Sequence, residues 1–123
     1  GVKVYEAFEV EVFVCNPNSE TSSVSCEICP KGPKAMNDKS SSNPIEAWFH
    51  LEKSRKTPRF LLMKPLETPL YLGSIKANSF KSVRLQFIAM QRGIINLFDE
   101  FRFLIDGKKD IKANKNNIHL KIE

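Results

Sequence analysis

Leu72 to Asp106 reads LGSIKANSFKSVRLQFIAMQRGIINLFDEFRFLID, two long apolar runs separated by the tight Arg92-Gly93 break. On the first run Val83, Leu85, Phe87 and Ala89 share a face with Lys81, while Ser82, Arg84 and Gln86 share the other. A period of two marks an extended segment with one face in a core. Ile88 and Met90 make the far end of this Phe80 to Met90 strand apolar on both faces, so that end is expected to be covered on two sides. Gly93 permits φ > 0 at a corner, and Ile94 to Leu97 begins the return strand. Phe101, Phe103 and Ile105 then alternate with Arg102 and Leu104 up to Asp106-Gly107, a strong hairpin signal. The stretch describes paired strands and contains no reaction centre.

The same alternation continues upstream. In Tyr5 to Cys15, YEAFEVEVFVC, Phe8, Val10, Val12 and Val14 fall on one face and Glu9 and Glu11 on the other. Asn16-Pro17-Asn18-Ser19 carries turn chemistry, and Val24, Cys26 and Ile28 alternate with Ser25 and Glu27. These two segments are expected to form the first antiparallel ladder. Ile45, Ala47, Phe49 and Leu51 alternate with Glu46, Trp48 and His50, which puts His50 outside, while Trp48 is read as a plug for the core. Phe60 to Met63 is a short apolar run before Lys64-Pro65 and Thr68-Pro69, which confine it to an edge or a strand end. Ile118, Leu120 and Ile122 form a last strand, with His119 and Lys121 toward water.

About seven to nine antiparallel strands, with turn signals every several residues and no helical period, give an all-β chain, an immunoglobulin-like β-sandwich. A length of 123 residues fits a single domain over 1–123, and 41% hydrophobic residues including nine Phe supply its core. Pro30 to Pro44, PKGPKAMNDKSSSNP, is read as a long mobile loop within it. No apolar run approaches the roughly 18 residues of a membrane span. The opening GVKVYEAFEV carries no signal peptide and runs straight into strand-like sequence, so the chain is expected to be a C-terminal fragment of a longer protein.

Chemistry-bearing motifs are sparse. Cys15, Cys26 and Cys29 are an odd count, which suits a reducing compartment better than a disulfide framework. The Cys26 to Cys29 C-x-x-C could be imagined with Cys15 and either His50 or His119 as a zinc set, but no second close ligand pair is present and buried thiols are the simpler reading. A redox motif would open a helix, and here Pro30 follows at once. Without a nucleophile motif, P-loop or metalloprotease signature, the expectation is a chain that is not an enzyme and needs no cofactor or metal.

The net charge of +5 collects partly in LEKSRKTPR, Leu51 to Arg59, with four basic residues against one acid, and partly in the tail GKKDIKANK. Without exposed aromatics or a recognition helix this is no nucleic-acid reader. It leaves an alternative function open, a peripheral membrane or phosphoinositide binder using basic loops.

LETPLYLGSIKANSFKSVRLQFIAMQRGIINLFDEFRFLID carries an "LG-I-A-S" group before a "V-L-F-A-GI" strand and an "L-F-L-D" strand ending at Asp106. Together with the opening strand Phe8 to Asn16, this order resembles the C-terminal immunoglobulin-like domain of the accessory subunit specific to TRAPP II, in its fungal form, of the Golgi TRAPP tethering complex. The resemblance implies a non-catalytic interaction module of a vesicle tether that activates a Rab GTPase, cytoplasmic and peripheral to Golgi membranes. Its implied partners are the other tethering-complex subunits and an Arf guanine-nucleotide exchange factor, with membrane contact at most peripheral. Charges bordering an apolar corner single out Met90, Arg92, Asp99, Glu100 and Arg102 as the candidate partner-binding residues, with Asp99 and Glu100 expected at the surface.

Overall fold

A computed structural model describes residues 1–29, 45–109 and 118–123. The Pro30 to Pro44 loop reading lies outside the described residues. The described chain is mostly β-strand with almost no helix, arranged in several sheets. In order the strands are β1 (Ala7–Asn16), β2 (Ser22–Ile28), β3 (Glu46–Lys53), β4 (Phe60–Leu61), β5 (Leu70–Ile75) and β6 (Ser79–Ile88). They continue as β7 (Gly93–Asn96), a 3-10 turn (Leu97–Glu100), β8 (Phe101–Ile105), β9 (Lys108–Lys109) and β10 (His119–Ile122).

Two four-stranded sheets, ordered β3-β1-β6-β4 and β5-β2-β8-β9, share one interior. Val10, Val12 and Phe87 from the first and Val24, Cys26 and Phe103 from the second are all buried, each at the inward positions the alternation specified. Aromatic rings join the layers. Phe49 of β3 stacks on Phe101 of β8 at 4.8 Å, and Phe87 of β6 meets Phe101 edge-on at 6.0 Å. Offset and edge-on ring pairs of this kind contribute roughly 0.5–1.5 kcal/mol each beyond the area they bury.

β1 and β2 do not pair as a hairpin. β1 lies between β3 and β6, whereas β2 crosses to the other sheet and lies between β5 and β8. Asn16, fully buried at the end of β1, fastens this crossover. Its side-chain amide donates to the carbonyls of Glu20 at 2.8 Å and Ile75 at 3.0 Å, and its Oδ1 accepts from the Asn18 N–H at 3.0 Å. The β1–β2 turn is thereby fastened to the end of β5, where the chain crosses back through the 76–78 turn into β6. Both sheet-switching connections share one set of hydrogen bonds, which satisfy polar groups that burial would otherwise leave costly.

The return strand after Arg92-Gly93 also departs from the sequence reading. β7 pairs with β10, not with β6. At the end of β6 the carbonyl of Ile88 accepts from Leu62 N–H at 2.9 Å and that of Ala89 from Tyr5 N–H at 2.9 Å, so the groups a hairpin partner would use are taken. β7 and β10 are extended by the N-terminus, where Val2 bridges Ile122 in parallel. The β4–β6 pairing is parallel too, so the strands are not uniformly antiparallel. The Asp106-Gly107 hairpin does join β8 to β9, with φ of 50° and 80° at its two central residues.

Candidate functional site

Trp48 occupies the outer face of β3, half-buried beside its cross-strand partner Phe13, and does not plug the interior. Its neighbours Ala47 and Phe49 are the residues that point inward. The rest of that outer face mixes polar groups with the exposed Phe80 of β6, which lies opposite Cys15 in register. Gln86 donates to the buried carboxylate of Glu9 at 2.7 Å, Arg84 lies 3.4 Å from Glu11, and His50 lies 3.0 Å from Glu52. The carboxylate of Glu11 raises the pKa of Arg84.

The three cysteines do not converge. Cys15 is on the outer face of the first sheet, Cys26 faces the interior, and Cys29 follows β2 with φ of 50°. Burial pushes the Cys26 thiol up to about 12. Among the described residues no group of three or more His, Cys, Asp or Glu side chains is placed to hold a metal ion.

The five candidate partner-binding residues separate into three settings. Met90 is 46% exposed and Arg92 is exposed, both just beyond β6. Asp99 is exposed on the 3-10 turn. Glu100, expected at the surface beside it, is instead buried. Its carboxylate accepts from the Cys29 thiol and the Met63 N–H, and desolvation, the largest influence, raises its pKa, with the nearby Asp99 charge acting in the same direction. The Glu100 carbonyl accepts the Cys29 N–H at 2.7 Å. Glu100 therefore fastens the end of β2, the 3-10 turn and the Met63 turn to one another, and a partner cannot reach it. Arg102 is half-buried on the outer face of β8, opposite Glu27 in register. One terminal nitrogen of its guanidinium is buried and makes no hydrogen bond among the described residues.

The structure builds one feature from what the sequence reading divided between a basic loop and an edge strand. A groove of about 270 Å³ is lined by Pro58, Arg59, Phe60, Leu61, Lys64, Pro65, Leu66 and Ile88. Phe60 and Leu61 form β4 at the edge of the first sheet, half-buried, with Ile88 next to them on β6. Arg59 and Lys64 are exposed on either side, and none of the described residues lining the groove is acidic. The backbone around it is fixed: Arg59 N–H donates to Gln86 at 3.0 Å, Lys64 N–H to Leu61 at 3.2 Å and Leu66 N–H to Ile28 at 3.2 Å. Arg59 sits 5.9 Å from the Phe60 ring centre, within cation–π range. The signal available in the sequence was RFLLMK, two cations bracketing a four-residue apolar run between Pro58 and Pro65.

Comparison with protein-family models, with curated proteins and with solved structures found no match to this chain.

Proposed function

We propose that this chain is a non-catalytic protein-interaction module with an immunoglobulin-like sandwich architecture. By the resemblance of Leu66 to Asp106, it serves a Golgi vesicle tether of the TRAPP II type. In this reading it helps assemble the complex that activates a Rab GTPase and docks an Arf exchange factor, on the cytoplasmic side of Golgi membranes. The observation that supports it is the partition of the chain's apolar surface. The interior is filled by side chains of both sheets, while Leu66 is exposed in a groove that Arg59 and Lys64 also line, and Met90 is exposed two residues before the exposed Arg92. An apolar centre with a charged rim suits capture of a partner protein.

Co-elution of the purified chain with the remaining subunits of the tether on size exclusion tests the proposal. Formation of a stable complex supports it, and independent elution at micromolar concentrations refutes it.

A second reading, attachment to an anionic membrane surface, is favoured by one observation: Lys53 at the end of β3 and Arg55, Lys56 and Arg59 on the loop that leads to β4 are all exposed. Flotation with anionic liposomes over a salt series separates the readings, because attachment through those charges alone fades with screening.

A further inference from the structure

We propose that the groove along β4 binds an extended acidic segment of a partner protein, with aliphatic side chains on the Phe60–Leu61–Ile88 floor and carboxylates paired to Arg59 and Lys64. This rests on the interaction-module reading and names the kind of partner it takes.

Three observations choose that occupant. The first is charge complementarity, since two cations flank the floor and no described lining residue is acidic. A second copy of this chain, itself at +5, would be repelled rather than attracted. The second is size. At about 270 Å³ the groove is near the lower end of ligand pockets, too small for a folded element and suited to a few side chains of an extended chain. The third is shape. Phe60, Leu61 and Ile88 are half-buried and line a concave groove, which a leucine side chain can enter and a flat bilayer surface does not follow. Arg59 is held near the Phe60 ring and by its backbone bond to Gln86, which lowers the ordering cost of binding. β4 is only two residues long between Pro58 and Pro65, so side chains rather than a long backbone ladder carry the recognition.

The test uses the full chain and a fluorescent synthetic peptide with a Leu-Leu pair flanked on both sides by aspartates. Saturable, salt-sensitive binding is expected, weakened roughly tenfold by Arg59→Glu combined with Lys64→Glu, in line with two exposed charge pairs reversed. Leu66→Asp is expected to weaken it as well. All three positions are exposed, and an unchanged circular dichroism spectrum establishes that the variants fold. Absence of peptide binding, or binding indifferent to these changes, overturns the proposal. So does displacement of the peptide by phosphatidylserine vesicles, which assigns the groove to lipid. Tether-subunit co-elution measured on the same variants keeps the two readings apart. Co-elution without peptide binding removes the groove and leaves the module, while peptide binding without co-elution does the reverse.

Discussion

The Phe49 ring on β3 stacks on the Phe101 ring on β8, with centroids 4.8 Å apart and planes at 26°, joining an edge strand of one sheet to an inner strand of the other. Phe101 also meets Phe87 edge-on at 6.0 Å, so three strands meet at this cluster. Phe49→Ala is expected to cost about 3 to 5 kcal/mol, the usual loss for a buried phenylalanine. Urea denaturation measures it, and a loss below about 1 kcal/mol would mean that the sheets are not held together here.

Asn16 gives a sharper test of topology. Asn16→Ala removes the hydrogen bonds its amide gives to the Glu20, Ile75 and Lys76 carbonyls and the one its Oδ1 accepts from Asn18, so a loss of about 2 to 4 kcal/mol is expected. Asn16→Asp keeps the acceptor for Asn18 but loses every donated bond, and should behave nearly as badly. If the two variants were as stable as the parent chain in thermal melts, β1 and β2 would not be fastened as described.

Glu100 sets a pH dependence with a definite sign. Its folded pKa is raised by burial, so its contribution is fully favourable below the unfolded pKa and is lost as pH rises through the folded one. Glu100→Gln keeps an acceptor for the Cys29 thiol and Met63 N–H but cannot ionise. Chemical denaturation from pH 4 to pH 8 should show the variant gaining stability relative to the parent chain as pH rises. A stability difference that stays constant, or that shifts in favour of the parent chain as pH rises, would contradict the burial of this carboxyl.

Cys26 should be chemically silent in the folded protein, since it is buried and its thiol is pushed up to about 12. Alkylation followed by mass spectrometry is expected to modify Cys26 only in denaturant. Native labelling at a rate close to that of a free thiol would place Cys26 outside the interior.

The strands themselves were legible because an extended chain with one wet face writes its burial in a period of two, as in Phe8, Val10, Val12 and Val14. Their pairing was not. Alternation is the same whether Val24 lies beside Val12 in one ladder or faces it across an interior, and the Asn16 side chain that fastens the crossover bonds to Ile75, remote in sequence. The partner of β7 was hidden for a similar reason, because the hydrogen bonds that end β6 come from Tyr5 and Leu62, remote in sequence. Of the candidate residues, Asp99 was expected at the surface and is exposed, whereas Met90, at a strand end expected to be covered on two sides, is exposed too. Glu100 was misread as exposed, since a carboxylate beside another acid reads as a surface turn until the donors that bury it are known. The groove was missed because its cations and its apolar floor were read as two separate features.

Hydrogen–deuterium exchange of this chain, with and without the purified tether subunits, tests the central claim most directly, because it maps where a partner sits without changing a residue. The expected result is slowed exchange over residues 58–66 and around Met90 to Arg92, with the interior strand β1 unaffected. Identical exchange in both samples at saturating subunit concentration would contradict an interaction role for this surface.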